Sequence, residues 1–339
     1  MNIVSRNEAR AAFLAACGWG EAQVSPLAAD ASFRSYHRVA GAGRVAVLMD
    51  APPPMEDVRP FRAVDARLRA LGLSAPEILA EDVTGGFLLL EDFGDGTFTR
   101  LLAAGADEAA LYDLAVDALI ALHRQAEAAE GFADYALPVY DRARYLAEAG
   151  LLADWFLPAA GVALSAADRA AYDAAWGEAL GALEGQPETL VLRDFHVDNL
   201  MRLSGRAGVA ACGLLDFQDA VRGPAVYDLM SLLEDARRDL PPALVARGRA
   251  RYIEAFPALD RERFAAAWAV LAAQRHAKVI GIFTRLCVRD RKPQYLVHIP
   301  RVWRLLEAAL AHPALGAAAA WFAARVPADA RRSPPCPSV

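Results

Sequence analysis

One short stretch of the chain places an aspartate and an asparagine at a fixed interval after an apolar run. Asn199 lies five positions after Asp194, and a later apolar run ends at Asp216. Transfer of a phosphoryl group from ATP requires one carboxylate that orients the attacking hydroxyl group. It also requires an amide oxygen and a second carboxylate that hold a magnesium ion against the phosphates. The spacing therefore predicts phosphoryl transfer, with Asp194 at the hydroxyl group and with Asn199 and Asp216 as metal ligands.

The elements that must hold these residues fall into two classes, short strands first and helices afterwards. Strand-like runs lie around Val24 and over residues 44–49, 77–81 and 87–90, with helical patterns over 6–17 and 60–70. After Asp92, helical periodicity covers 107–129, 141–157, 165–183 and 226 to about 324, interrupted by strand-like runs over 190–193 and 213–216. This order is typical of an α+β fold with a small mixed β lobe and a larger, mainly helical lobe.

The change of pattern near Asp92 also predicts the domain organisation. We expect residues 1–92 to form an N-terminal nucleotide-binding lobe and residues 93–326 to form a C-terminal catalytic and substrate-binding lobe. The last segment, residues 327–339, is rich in proline and is expected to be a flexible tail.

The motif residues resemble those of a known superfamily. Asp194–Asn199 resembles the HGDxHxxN loop of the aminoglycoside phosphotransferases and choline kinases, and Asp216 with Phe217 is similar to their metal-binding motif. The segment containing Asp228 resembles the one whose aspartate buttresses that loop. The resemblance extends over residues 5 to about 325. It implies the two-lobed protein-kinase-like fold, Asp194 as catalytic base, Mg²⁺ at Asn199 and Asp216, and ATP as co-substrate.

Two positions depart from the superfamily pattern. Leu192 and Arg193 stand where its loop usually begins with His-Gly, and Met49 stands where a strand lysine usually pairs with the ATP phosphates. No lysine occurs before Lys278. Arg34 is a candidate substitute because a guanidinium group also chelates phosphate oxygens, although a solvated loop charge is an equally good interpretation.

Other nucleotide contacts are expected from backbone groups. Ser32 and Phe33 would cover the phosphates with their amides, since the chain has no P-loop motif. Glu91 and Phe93 lie on the segment that joins the expected lobes. In kinase-like folds this connector offers its backbone to adenine, and Phe93 is alternatively a core residue.

Several longer runs resemble one narrower family, the bacterial N-acetylmuramate/N-acetylglucosamine kinases of cell-wall recycling. These runs are residues 30–36, 49–53, 193–199, 274–286 and 289–296. The family phosphorylates the anomeric hydroxyl group and yields a sugar 1-phosphate. A small lobe without lysine is normal in this family, so Met49 is compatible with an active enzyme.

A polar stripe on an otherwise apolar helical segment is the candidate sugar site. Gln274, Lys278 and Arg285 are spaced by four and then seven residues, which places them on one helix face. Their partner is either the carboxylate of a lactyl-bearing sugar or an internal acid such as Asp228, or else phosphate. His196 and Asp219 are candidates for hydrogen bonds to sugar hydroxyl groups, and His196 alternatively orients the loop.

Two other functions remain possible from the residues alone. One is a kinase of the same fold that acts on an aminoglycoside, choline or homoserine. Such cationic substrates predict an acidic pocket, whereas the segment around Lys278 and Arg285 is basic. The other is a non-catalytic, nucleotide-binding pseudokinase, which the presence of Asp194, Asn199 and Asp216 together disfavours.

Composition narrows the partners and the compartment. The formal net charge of −6 argues against nucleic acid as the main partner. No run reaches the roughly 20 apolar residues of a membrane span, and the N-terminus lacks a signal-peptide pattern. The four cysteines are far apart, which argues against a zinc site or a disulfide framework. We therefore expect a cytoplasmic protein whose partners are ATP and a small amino sugar, with no membrane partner.

Overall fold

The computed structural model describes residues 3–29, 33–125, 130, 132 and 135–335. They belong to two units, each made of two chain segments: unit 1 comprises residues 1–137 and 197–220, and unit 2 comprises 138–196 and 221–339. The chain crosses from unit 2 to unit 1 inside the motif that begins at Asp194, and it returns after Ala220. The lobe boundary expected near Asp92 stays a prediction.

The described elements follow the expected order of strands and helices. The strands are β1 (Gln23–Ala29), β2 (Ser35–Gly41), β3 (Arg44–Asp50), β4 (Ile78–Asp82), β5 (Phe87–Leu90), β6 (Glu188–Val191), β7 (Leu200–Arg202), β8 (Cys212–Leu214) and β9 (Val221–Pro224). The helices are α1 (Ile3–Ala16), α2 (Arg59–Ala70), α3 (Phe98–Ala103), α4 (Glu108–His123), α5 (Arg142–Leu151), α6 (Leu157–Ala159), α7 (Ala166–Ala179), α8 (Val226–Leu233), α9 (Pro242–Ala255), α10 (Arg261–Val288), α11 (Ile299–Leu310) and α12 (Gly316–Arg325).

Unit 1 is built on a five-stranded antiparallel sheet with the order β1-β2-β3-β5-β4. Alternate side chains of β3 point to opposite faces of this sheet. Ala46 and Leu48 join the core that α1 covers, where the Phe13 and Phe87 rings stack at 5.5 Å. Val47, on the other face, lines a cavity that is described below.

The sequence analysis missed β2. Only Val39 is fully buried in this strand, so the strand lacks the alternation of apolar residues that marks a half-buried strand. Pairing with both β1 and β3 along its whole length holds it in the sheet. The helix predicted over residues 107–129 is also shorter than expected, because α4 ends at His123; residues 126–129 lie outside the described part of the chain.

Unit 2 is organised around the 28-residue helix α10. It packs against α5, α8 and α11, and its residues are buried from Ala267 to Gly281. Gly281 permits the close approach of α5, because a Cβ atom at this position would lie 2.3 Å from the Leu151 carbonyl carbon. Directly after Leu151 the chain forms a π-helical turn over Leu152–Phe156. The helix expected from residue 165 is present as α7, and Ser165 and Asp168 form a capping box at its start.

Two smaller features of unit 2 are the C-terminal segment and Cys287. Residues 327–335 contact unit 2, since Arg331 pairs with Glu307 and Ser333 donates to the Leu296 carbonyl, while residues 336–339 lie outside the described part. Flexibility of this tail stays a prediction. Cys287 is disulfide-bonded, so the expectation that the cysteines form no disulfide framework is wrong at this residue.

No single helix in the described ranges is long and apolar enough to span a membrane. Pro293–Leu310 and Pro313–Arg325 pass that test of length and composition only as a pair, which is bent by 107°.

Candidate active site

In unit 1, the pairing of β7 with β8 brings the two expected metal ligands together. Asn199 precedes β7 and Asp216 follows β8, and Leu200 lies opposite Leu214 in the register. Asn199 Nδ2 donates a hydrogen bond to Asp216 Oδ2 at 3.3 Å. Asp216 has φ +58°, a left-handed conformation that typically costs a non-glycine residue about 1 to 3 kcal/mol. The fold holds this carboxylate in place against local strain.

These residues fit a magnesium ion by their chemistry and exposure. The Asp216 side chain is 31% exposed, and Asn199 supplies an amide oxygen beside it. Gln218 donates to Asp216 Oδ1 at 2.7 Å, while its own Oε1 is buried without a hydrogen-bond partner. Among the described residues, no group of three or more His, Cys, Asp or Glu side chains is placed to hold a metal ion. Magnesium does not require one, since it takes one or two carboxylates together with phosphate oxygens and waters.

The structure places Arg34 beside this pair. Its guanidinium group lies 3.7 Å from Asp216 Oδ1 and 3.6 Å from Glu56 Oε2, and its side chain is 9% exposed. Burial lowers the pKa of Arg34, but Tyr36 and the nearby carboxylates outweigh it and raise the pKa above its usual range. Met49 is buried in β3, and its uncharged side chain cannot pair with a phosphate. We call Arg34, Glu56, Asn199, Asp216 and Gln218 the Asp216 cluster.

A cavity of about 400 Å³ opens next to Asn199 and Asp216. Its volume is within the range of small-molecule sites. Apolar side chains from the sheet, from α2 and from the β7–β8 pair form its walls, as expected for a site that encloses a flat base. The apolar lining residues are Leu27, Val47, Phe61, Pro76, Leu90, Met201 and Leu215.

Both residues of the expected connector, Glu91 and Phe93, line this cavity. The ring of Phe93 lies against β8, where a Cβ atom on Gly213 would be 2.9 Å from it, and Arg206 stacks over the ring. Glu91 donates its N–H to the Glu77 carbonyl and pairs with Arg206 through its carboxylate. Among the expected phosphate contacts, Phe33 is 63% exposed and Ser32 lies outside the described residues.

In unit 2, the backbone that precedes Asp194 is held by two buried groups. Asp228 Oδ2 accepts the Leu192 N–H at 2.6 Å, and Oδ1 accepts the Arg193 N–H at 2.9 Å. Arg275 Nη1 donates to the Arg193 carbonyl at 3.3 Å. The position of Asp228 therefore agrees with the buttressing role that the resemblance implies. Burial raises the pKa of Asp228 to about 7, although both N–H bonds act to lower it.

Arg193 has φ +69°, and its side chain is tied to a glutamate that the sequence analysis did not single out. Glu148, on α5, pairs with Arg193 and lies 3.0 Å from Lys278 Nζ. It also accepts hydrogen bonds from the Tyr140 hydroxyl and, at 3.3 Å, from Gln274. The only sequence signal for Glu148 was an acid on the buried face of an amphipathic helix.

The Asp194 carboxylate is surrounded by positive charge. Burial acts to raise its pKa, but the charges of Arg275, Lys278 and Arg193 outweigh burial and hold the pKa below its usual range. Asp194 is therefore ionised at neutral pH and able to accept a hydrogen bond. We call Arg193, Asp194, Glu148, Arg275 and Lys278 the Asp194 cluster.

His196 is almost fully buried, and its Nε2 lies 3.5 Å from Arg237 Nη1. Burial first, and then Arg237, lower the pKa of His196 below its usual value, so the imidazole is neutral at pH 7. Asp219 is exposed in unit 1 and contributes to the field at Arg34.

The polar stripe of α10 divides into two parts. Gln274 and Lys278 contact Glu148, which is an internal acid, although not the Asp228 considered from the sequence. Arg285 forms no ion pair among the described residues, and its Nε is buried without a hydrogen-bond partner. Burial and then Arg289 lower the pKa of Arg285.

The site residues are thus gathered in two groups. Unit 1 brings together Arg34, Asn199, Asp216 and Asp219, with Glu91 and Phe93 lining the adjacent cavity. Unit 2 brings Lys278 and His196 to Asp194, while Arg285 is set apart. Glu56, Gln218 and Glu148 were not recognised in the sequence, because none belongs to a spaced motif of its own.

Comparison with known proteins agrees with this arrangement. The phosphotransferase enzyme family model, APH, matches residues 23–267. A choline/ethanolamine kinase family protein from Mesorhizobium loti superposes with a TM-score of 0.58 at 14% identity, covering 93% of this chain and 98% of that chain. An ADP-bound aminoglycoside phosphotransferase, APH(2'')-Ib, gives 0.53 at 18% identity, covering 85% and 93%. The fold class expected from the sequence is confirmed.

Two curated relatives are much closer in sequence. N-acetylmuramate/N-acetylglucosamine kinase of Caulobacter vibrioides is 37% identical over 96% of this chain and 98% of its own length. The kinase of the same name from Pseudomonas aeruginosa is 41% identical over 87% of this chain and 86% of its own length. The chain therefore belongs to the phosphotransferase enzyme family and, within it, to the N-acetylmuramate/N-acetylglucosamine kinases.

Proposed function

We propose that the protein transfers the γ-phosphoryl group of ATP to the anomeric hydroxyl group of N-acetylmuramate and N-acetylglucosamine, in the recycling of peptidoglycan sugars. The observation that carries the substrate class is the identity of 37% and 41%, over most of the chain, to kinases named for these two sugars. The chemistry is supported by the retention of Asp194, Asn199 and Asp216 in geometries suited to their roles.

Asp194 is the group that receives the attacking hydroxyl. Its cationic surroundings keep it ionised, so it accepts a hydrogen bond from the hydroxyl group and orients the oxygen towards the γ-phosphorus. A carboxylate with a lowered pKa is a weak base. The hydroxyl proton therefore passes to Asp194 late, as the new O–P bond forms and ADP leaves, which suits the loose transition state of phosphoryl transfer.

Asn199 and Asp216 hold Mg²⁺ through hard oxygen ligands. When bound, the ion neutralises charge that develops on the phosphate oxygens. Arg34 takes the place of the missing strand lysine, because it is the cation that the structure positions at Asp216. Ser32 contributes its backbone amide to the phosphates, while the Phe33 N–H is donated to Glu56 Oε1 and fixes the loop. The apolar cavity accepts adenine, with the connector residues Glu91 and Phe93 in its wall.

We assign His196 and Asp219 to hydrogen bonds with sugar hydroxyl groups. On α10, Lys278 supplies positive charge near Asp194, and Gln274 and Lys278 are held together by Glu148. Arg285 pairs with the lactyl carboxylate of N-acetylmuramate. Its support is the absence of an internal ion pair among the described residues, which leaves a cation for an acidic ligand.

The same proposal places the enzyme in the cytoplasm, where ATP is available, and keeps a nucleotide-binding lobe that ends near Asp92.

Phosphorus NMR of the product made from N-acetylmuramate, ATP and magnesium tests the reaction. We expect a new phosphate resonance that is split by the anomeric proton of the sugar. A phosphate coupled to another sugar proton would contradict the position of attack. Absence of product from both sugars, with ATP still bound, would contradict the substrates.

A further inference from the structure

Glu56 contacts two neighbouring residues of the loop that we assign to the phosphates. Its Oε1 accepts the Phe33 backbone N–H at 3.0 Å, and its Oε2 lies 3.6 Å from Arg34 Nη1. One carboxylate thus fixes both the backbone and the side chain of consecutive residues. The backbone between the Phe33 nitrogen and the Arg34 side chain therefore has little freedom, because Glu56 holds both ends of this short stretch.

Glu56 is itself held firmly. It follows three prolines, Pro52–Pro54, and its N–H donates to the Pro52 carbonyl at 3.1 Å. This turn comes directly after β3, the central strand that carries Met49. The Glu56 side chain is 14% exposed. The glutamate is therefore anchored to the sheet and not to the loop that it holds.

Arg34 is shared between this anchor and the expected metal ligand. Its guanidinium group reaches Glu56 through Nη1 and Asp216 through Nη2, at 3.6 and 3.7 Å. An arginine fork held at one corner by a fixed carboxylate presents its remaining donors in a defined direction. We propose that Glu56 is a positioning residue that aims Arg34 at the phosphates of the nucleotide bound at Asp216. This inference rests on the role of Arg34 in the proposed function.

A strand lysine would be placed by the sheet itself, whereas an arginine on a loop needs an external support. Glu56 is this external support, since the proline-rich turn after β3 places it against the loop. Residues 30–32 lie outside the described part of the chain, and the contacts that support this role join Phe33, Arg34, Glu56 and Asp216.

A double-mutant cycle measured by nucleotide binding tests the proposal. The affinity for ATP with magnesium is determined by calorimetry, without sugar, for the wild type, R34A, E56A and R34A/E56A. We expect R34A to weaken binding about tenfold or more and E56A about fivefold, as for hydrogen bonds to charged groups. In the R34A background, E56A should change the affinity less than about twofold, because a positioning residue acts only through its partner.

Two further variants separate positioning from folding. E56Q keeps an acceptor for the Phe33 N–H but loses the charge opposite Arg34, and should weaken binding about threefold. E81Q is the matched control, because Glu81 also pairs with an arginine of unit 1, Arg62. E81Q should bind ATP like the wild type, and all variants should melt within a few degrees of it.

The outcomes distinguish the inference from the proposed function. Additive losses from R34A and E56A, or unchanged binding in E56A while R34A is weakened, would overturn the role of Glu56 and leave that of Arg34. Unchanged binding in R34A would overturn both. If no sugar phosphate forms with the wild type, the substrates are wrong, and the binding cycle still decides the role of Glu56.

Discussion

The Asp216 cluster and the Asp194 cluster both combine acidic and basic side chains, but they share these charges in opposite ways. In the Asp216 cluster one cation, Arg34, serves two carboxylates, Glu56 and Asp216. In the Asp194 cluster one carboxylate, Glu148, serves two cations, Arg193 and Lys278. The first cluster therefore has a surplus of negative charge and the second a surplus of positive charge.

This difference agrees with the ligands that we propose for each. A negative surplus at half-exposed oxygen ligands attracts a divalent cation. A positive surplus keeps Asp194 ionised and favours an acidic or phosphorylated ligand. The ion pairs also differ in length: Arg34 lies 3.6 and 3.7 Å from its two carboxylates, and Lys278 Nζ lies 3.0 Å from Glu148. The longer Arg34 pairs have room to rearrange around a ligand, while the Lys278–Glu148 pair is preorganised.

The largest effect is expected at the carboxylate in the positive cluster. Asp194→Asn removes the acceptor for the hydroxyl proton and should lower kcat about 100-fold to 10,000-fold, the usual contribution of a general base. Affinity for ATP with magnesium should stay within about twofold, because the metal ligands are unchanged. Steady-state kinetics and calorimetry measure the two quantities. A variant with a nearly normal rate would refute the assignment of Asp194.

Replacing one glutamate by glutamine in each cluster tests whether the two clusters depend differently on their carboxylates. Glu148→Gln leaves two buried cations with no shared carboxylate and should lower the free energy of unfolding by about 3 to 5 kcal/mol. Glu56→Gln should lower it by less than about 1 kcal/mol, because Arg34 keeps Asp216. Chemical denaturation of both variants provides the measurement. Equal losses would remove the contrast between the clusters.

A third prediction concerns the surplus of negative charge. Asp216→Ala should weaken the binding of ATP about tenfold or more when magnesium is present, and should have little effect when EDTA replaces it. Asp57→Ala is a suitable control, since Asp57 is an exposed acid of the same unit that pairs with Arg59. An equal loss with and without magnesium would show that Asp216 acts on the nucleotide without the metal.

The last prediction is a pH dependence at Asp228. Its folded pKa of about 7 lies above the usual value of 3.8, so the folded state binds the proton more tightly than the unfolded state. The stability that this group contributes is present below about pH 4 and falls as the pH rises to about 7. The stability advantage of the wild type over Asp228→Asn should therefore be smaller at about pH 8 than at about pH 5. Denaturation curves at the two values test it, and an advantage that grows with pH would contradict the assigned shift.

The sequence predicted the parts of the fold that local patterns encode. The helix start at Ser165, the strand β3 and the helical character of the region that contains α10 were expected, because caps, apolar runs and helical periodicity are local signals. The strand β2 was not expected, because its sequence has little alternation and its place depends on pairing with two neighbours. The early end of α4 was missed for a related reason, since its alanine-rich continuation favours helix by propensity alone.

Spacing along the chain was enough to indicate candidate chemical groups. The interval from Asp194 to Asn199, and the apolar run before Asp216, indicate the groups that we propose for the hydroxyl group and the metal, because these are local patterns. Tertiary structure decided which charges meet. Glu56 reaches Arg34 across 22 positions and Glu148 reaches Lys278 across 130, separations that follow from the residue numbers. No local pattern encodes such pairings, because they arise only when packing of the sheet and of α10 brings distant segments together.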